Sequence, residues 1–159
     1  MTSEQTLYLM RHGEAEPHSF GGDAARRLTK HGEQVVETVA LGLKQKGPPP
    51  DHLWHSPFTR AVETASIMGH ICDIQDPLIH DGVTPGADPA RLIAELPHAP
   101  NNLLIVSHLP FLPELVRRLL RDENIGAIPP ATVIKLSLRD GLNARLVEIW
   151  RPSDWVATN

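Results

Sequence analysis

"NLLIVSHLP", residues Asn102 to Pro110, runs almost unbroken through apolar side chains and then turns polar at Ser107 and His108. An apolar run without alternation reads as a strand covered on both faces, as in a parallel sheet with helices above and below. The segment that follows, Pro110–Leu120, brings Phe111, Leu112, Leu115, Val116 and Leu119 round at helical spacing. Working outward, the same strand-then-helix unit recurs. Leu7–Met10 reads as the first strand, and residues 30–46 as a helix with Val35, Val36, Val39, Ala40 and Leu43 inward. Thr29 stands ready to cap that helix, and Gly32 occupies the place where a capping box would put Glu. The prolines at 48–50 close it. Asp51–His55 is a second short strand, and Ser56-Pro57 supplies an N-cap and first-turn proline for a helix to about His70. Ile74–Ile79 is a candidate strand, Asp88-Pro89 opens a helix, and Val133–Leu138 with Ala144–Trp150 predicts a hairpin around Asp140-Gly141. Alternating strands and helices predict an α/β sandwich around a largely parallel sheet.

The chain of 159 residues suits a single domain, 1–159, without repeats or a low-complexity linker. A net charge of −4, with no basic run and no interleaved aromatic stripe, argues against nucleic acid as a partner. The single Cys72 excludes an internal disulfide and a cysteine-rich metal site. No stretch is apolar enough to span a bilayer and residues 1–6 are polar, so the expectation is a cytoplasmic protein with no membrane partner.

The chemistry collects at strand ends. The first strand leaves the core through Arg11, His12 and Gly13; the second ends at Ser56-Pro57 with Arg60 just beyond; the "NLLIVS" strand ends at His108. In an open α/β sheet, ligands sit beyond the carboxyl ends of the strands. If these strands are neighbours, Arg11, His12, Arg60 and His108 converge. One Arg-His pair at a strand end is ordinary; three strand ends each offering Arg or His point to a site. Two guanidiniums beside helix N-termini trap an anion, and Arg forks suit phosphate. No Gly-rich nucleotide loop is present, so the anion is a phosphoryl group rather than a nucleotide. His12 is the natural nucleophile, because imidazole titrates near 6.5 and is substantially neutral at physiological pH. Gly13 would let the backbone approach the substrate.

"LMRHGE", "SPFTRAVETA" and "VSHLP", in this order and spacing, resemble the histidine phosphatase superfamily with its phosphoglycerate-mutase-like fold. Within it the chain is most similar to the small bacterial phosphohistidine phosphatases of the SixA type, and "RRLTKHGEQ" and "VTPGAD" extend the likeness over nearly the whole length. The resemblance implies a three-layer α/β/α sandwich with a mixed sheet. It implies transient phosphorylation of His12, with Arg11, Arg60 and His108 binding the phosphoryl group. Arg26 is a candidate for the same pocket, and Arg27 an equal candidate for a solvated position.

The chain departs from the wider pattern at the proton donor. Leu109 follows His108 where many members carry Asp, and Gly82 stands near where others carry Glu. Asp81, Asp88 and Glu14 are the remaining acids, with Asp88 better read as a helix N-cap and Glu14 as an exposed turn residue. His52 and His55 point to opposite faces of a strand, the other histidines lack ligand spacing, and Trp54, Trp150 and Trp155 are scattered along the sequence. The expectation is a phosphatase without metal or cofactor, acting on a phosphohistidine-bearing protein. The alternatives are a small-molecule phosphomonoesterase of the same fold, or a phosphate-recognition module without catalysis.

Overall fold

The structure, a computed structural model, describes residues 4–121, 123–140 and 143–155. Six strands, β1 (Glu4–Arg11), β2 (His52–His55), β3 (Leu78–Ile79), β4 (Leu103–Ser107), β5 (Val133–Arg139) and β6 (Asn143–Trp150), form one sheet. Their order is β3-β2-β4-β1-β5-β6. The first four strands of that order run parallel, whereas β5 pairs antiparallel with both β1 and β6. The sheet is therefore largely parallel, as the alternating pattern predicts, and mixed, as the family resemblance implies.

The "LLIVS" strand lies at its middle, every residue buried, because it carries helices on both faces. Side chains alternate across the sheet. Leu7, Leu9, Leu103 and Ile105 pack with α3 (Pro89–Glu95) and α4 (Phe111–Leu119). Tyr8, Met10, Leu104 and Val106 pack with α1 (Lys30–Gln45) and α2 (Thr59–Ile71). Each fully buried aliphatic side chain contributes about 1.5–3 kcal/mol, so the two cores hold three layers together.

The caps follow the sequence in part. Thr29 Oγ1 accepts from Gly32 N at 2.8 Å, and Asp88 Oδ1 accepts from Ala90 N at 3.0 Å. At α2 the expectation needs correction. The helix starts at Thr59 behind Phe58, and Ser56, wholly buried, accepts from Phe58 N at 3.1 Å in the turn before it. The third strand is likewise shorter than predicted. Asp73 and Asp76 adopt positive φ (56° and 51°), which turns the chain twice, so only Leu78 and Ile79 pair while Ile74 drops into the α1–α2 core. At the β5–β6 connection Asp140 has φ 55°, as a tight hairpin turn demands, and Gly141 lies outside the described residues. Trp150 and Trp155 pack at 5.8 Å between centroids, with Trp155 against Gly42 of α1.

Candidate active site

Because β2, β4 and β1 are neighbours and parallel, their carboxyl ends open on one side of the sheet. Arg11 stands opposite Ser107 and His55 opposite Val106, so the residues just beyond them meet. His12 N donates to Ser107 O at 3.0 Å, tying the ends of β1 and β4. The His12 and His108 rings lie 5.0 Å apart. Arg60, on the first turn of α2, reaches over to donate from Nε to His12 Nε2 at 3.2 Å. Phe58 supports both partners, edge-on to His108 at 5.2 Å and beneath the Arg60 guanidinium at 5.1 Å.

The hydrogen bonds fix the tautomer of His12. Its Nδ1 sits 2.7 Å from Gly13 O, a contact that only an Nδ1–H can make. The Nε2 lone pair therefore faces the Arg60 donor. Burial pushes His12 down to about 4, and the Arg60, Arg11 and Arg26 charges act in the same direction against the opposing Gly13 hydrogen bond. Burial, then His12 and Arg60, push His108 down to about 3. Both imidazoles are neutral across the physiological range, so in the free enzyme His108 adds no charge to the pocket. Neither ring nitrogen of His108 nor the Arg11 Nε finds a hydrogen-bond partner among the described residues. Buried polar atoms of this kind suit an incoming oxyanion. Arg11 is itself anchored through Nη1 to Ile128 O at 2.9 Å, and burial beside Arg60 lowers its pKa. Among the described residues, no group of His, Cys, Asp and Glu is arranged to hold a metal ion.

The structure thus brings together Arg11, His12, Arg60 and His108. Arg26 stands at the edge, close enough to influence His12 electrostatically, and donates to Glu16 O at 2.6 Å; Arg27 is largely exposed and paired with Glu63. Gly13 is also a packing position. A side chain there would meet Val36 of α1 at 2.7 Å, and its N–H is already donated to Thr64 Oγ1 at 3.0 Å. Among the described residues, none of the three acids weighed from sequence hydrogen-bonds or pairs with Arg11, His12, Arg60 or His108. Asp81 is exposed, Asp88 caps α3, and Glu14 accepts from Thr29 Oγ1 at 3.2 Å. Two residues escape sequence reasoning. Thr64 bridges Gly13 and the Arg60 carbonyl, and Asp23 holds Arg60 through its carbonyl and its carboxylate. The only sequence signal for Asp23 is its spacing of three from Arg26, with which it pairs at 2.9 Å.

Comparison with known proteins agrees with this geometry. The model of the "Histidine phosphatase superfamily (branch 1)" matches residues 7–82. A phosphohistidine phosphatase SixA homolog of Haemophilus influenzae is 31% identical over 153 residues, spanning 89% of this chain and 92% of its own. SixA of Escherichia coli is 26% identical over 142 residues, spanning 86% and 88%. Among solved structures, the protein histidine phosphatase SixA complexed with tungstate superposes with a TM-score of 0.85 at 26% identity, over 94% of this chain and 98% of that one. A phosphoglycerate mutase from Bacillus anthracis shares the fold, with a TM-score of 0.72 at 14% identity over 97% and 96%. From the likeness to the Haemophilus protein over most of both lengths, and from RHG, SPxxR and SH meeting at the carboxyl ends of neighbouring strands, it follows that the chain is an enzyme of the phosphatase type and belongs to the histidine phosphatase superfamily.

Proposed function

We propose that the chain is a metal-independent phosphohistidine phosphatase that works through phospho-His12. The observation that carries this reading is His12 itself: Nδ1–H committed to Gly13 O, Nε2 unprotonated and ringed by Arg11, Arg26 and Arg60. Nε2 attacks phosphorus, and the bond from phosphorus to the substrate's leaving atom breaks. Arg11, Arg60 and the His108 ring hydrogen-bond the equatorial oxygens, where charge develops. Water then attacks phospho-His12, the P–N bond breaks, and phosphate leaves with His12 neutral again.

That the one acid seen on the pocket among the described residues, Asp23, is held ionised by Arg26 and Arg60 supports a phosphoramidate substrate. Expelling an alkoxide needs a positioned proton, and general acids typically contribute ~10²–10⁴-fold. An imidazole leaving group is far less basic and is protonated on its own ring before departure. The names of the SixA relatives agree with that choice, and the substrate is accordingly a protein bearing phosphohistidine.

Brief reaction with labelled substrate in excess chelator, followed by an alkaline quench, should leave label on the His12 peptide and none after His12→Ala. Catalytic efficiency should fall in the order phosphohistidine protein, aryl phosphate, alkyl phosphate. Near-normal turnover by His12→Ala would remove the mechanism. A preference for a sugar phosphate would move the enzyme to the phosphomonoesterases.

A further inference from the structure

Every nitrogen of the Arg60 side chain already has a partner. Nε donates to His12 Nε2 at 3.2 Å, Nη1 to Asp23 O at 2.8 Å, and Nη2 to Asp23 Oδ2 at 3.2 Å. The other carboxylate oxygen, Oδ1, takes Arg26 Nη1 at 2.9 Å. A carboxylate and a phosphoryl group seek the same guanidinium donors in the same geometry. We propose that the Asp23 carboxylate is an internal competitor for the phosphoryl oxyanion, occupying Arg60 Nη2 until substrate displaces it and reclaiming that donor as phosphate departs. The proposal rests on the phosphatase reading of the pocket and adds to it a residue that sets affinity for substrate and product.

Three observations favour competition over simple bracing. Arg60 is held without the carboxylate, by the Asp23 carbonyl, by His12 and by the Phe58 ring, so the charged oxygen is not needed to keep the guanidinium in place. The Asp23 side chain is 60% exposed while that of Arg60 is 6% exposed, so the acid can swing to solvent and the arginine cannot. The turn that carries it, Asp23–Ala25, buries none of its residues, so the side chain can leave Arg60 Nη2 with little loss of packing while the backbone carbonyl stays on Nη1. Asp23 is also unsuited to donate a proton, because its bonds to Arg26 and Arg60 hold its carboxyl below the usual range. The benefit falls on the last step. Hydrolysis ends with a multiply charged anion among arginines, and a carboxylate that competes for Arg60 Nη2 speeds its release.

The test is calorimetric titration of the phosphate-free protein with inorganic phosphate at neutral pH, alongside product inhibition of aryl-phosphate turnover. Asp23→Asn and Asp23→Ala should each bind phosphate roughly 3- to 10-fold more tightly, the scale of one unit charge removed a few ångströms away in a partly screened site. The inhibition constant should fall by the same factor. In an Arg60→Ala background the gain from Asp23→Asn should shrink to the through-space part that the Asp23 charge exerts on the pocket, since the donor it contests is gone; a gain as large as in the wild-type background would make the effect plain charge repulsion and overturn the proposal. Weaker binding by Asp23→Ala with wild-type binding by Asp23→Asn would make Asp23 a brace and overturn the proposal; so would unchanged binding in both. A wild-type protein that bound no phosphate would remove the reading of the pocket as well.

Discussion

His12 is kept neutral by its surroundings, and its reactivity follows from that. An isolated imidazole near neutral pH is partly protonated, and the protonated fraction cannot attack phosphorus. Here burial and three arginines disfavour the cation, while Nδ1–H is already spent on Gly13 O. Proton magnetic resonance titration of the free protein should therefore find His12 well below the ordinary histidine value, near 4, and His108 lower still, near 3. Inorganic phosphate should raise both, because a bound dianion offsets the arginines. Arg60→Ala should raise His12, since the variant removes a cation and admits water together. A His12 resonance titrating near 6.5, unmoved by phosphate, would contradict this account. At this scale the sequence was informative about identity and silent about partners. RHG, SPxxR and SH named Arg11, His12, Arg60 and His108, yet Asp23 meets Arg60 across 37 residues. Nothing local separates such an acid from an ordinary exposed one. The packing at Gly13 was hidden for the same reason, because Val36, which fills the space beside it, belongs to another element.

Helix α1 positions the nucleophile loop by pressing on it, and Gly32 is where the two meet. A Cβ at Gly32 would stand 2.2 Å from Glu14 O, two residues after His12. Two opposing effects decide what Gly32→Ala does. Helix propensity favours Ala over Gly by ~0.8–1 kcal/mol. Forcing a methyl into a filled space costs typically ~1–3 kcal/mol, and here the obstacle is backbone rather than a flexible side chain. The clash should win. Urea unfolding should show net destabilisation of ~1–2 kcal/mol, with turnover reduced because Glu14 shifts the RHG loop. An increase in stability, as at a solvent-facing glycine, would show that the loop yields freely. The same contact explains why the capping box is incomplete: Thr29 caps, but a Glu at its third position has no room. Element identity was legible wherever the apolar period ran long, as in α1, α4 and the "LLIVS" strand. It failed where one local conformation overrode pattern, at Asp73 and Asp76, and where Ser56 capped a turn instead of a helix.

For the molecule as a whole, a site built from neutral buried histidines makes folding sensitive to acid. The folded values of His12 and His108 are depressed to about 4 and about 3, while the unfolded chain keeps the ordinary 6.5. The unfolded state therefore binds more protons below 6.5, and stability falls as pH drops from there toward the folded values. Each histidine held neutral contributes a slope approaching ~1.4 kcal/mol per pH unit once the unfolded form is protonated. Between pH 7 and pH 5 the pair should remove roughly 4 kcal/mol, a large share of the 5–15 kcal/mol typical of a domain. The carboxylates held low, Asp23 and Glu114, titrate in the unfolded chain only near 4 and contribute below this window. Denaturant titrations at half-unit steps of pH should thus show the midpoint declining from about pH 6.5 downward. His12→Asn combined with His108→Asn should flatten that decline whatever it does to stability at neutral pH. Saturating phosphate should flatten it as well, because a ligand that binds only the folded state, and binds its protonated histidines better, shifts both folded values upward. A midpoint constant from pH 7 to pH 5, or an identical slope in the double variant, would mean that the two imidazoles are solvated and charged like any surface histidine, and the nucleophile would then lose the neutrality on which its attack depends.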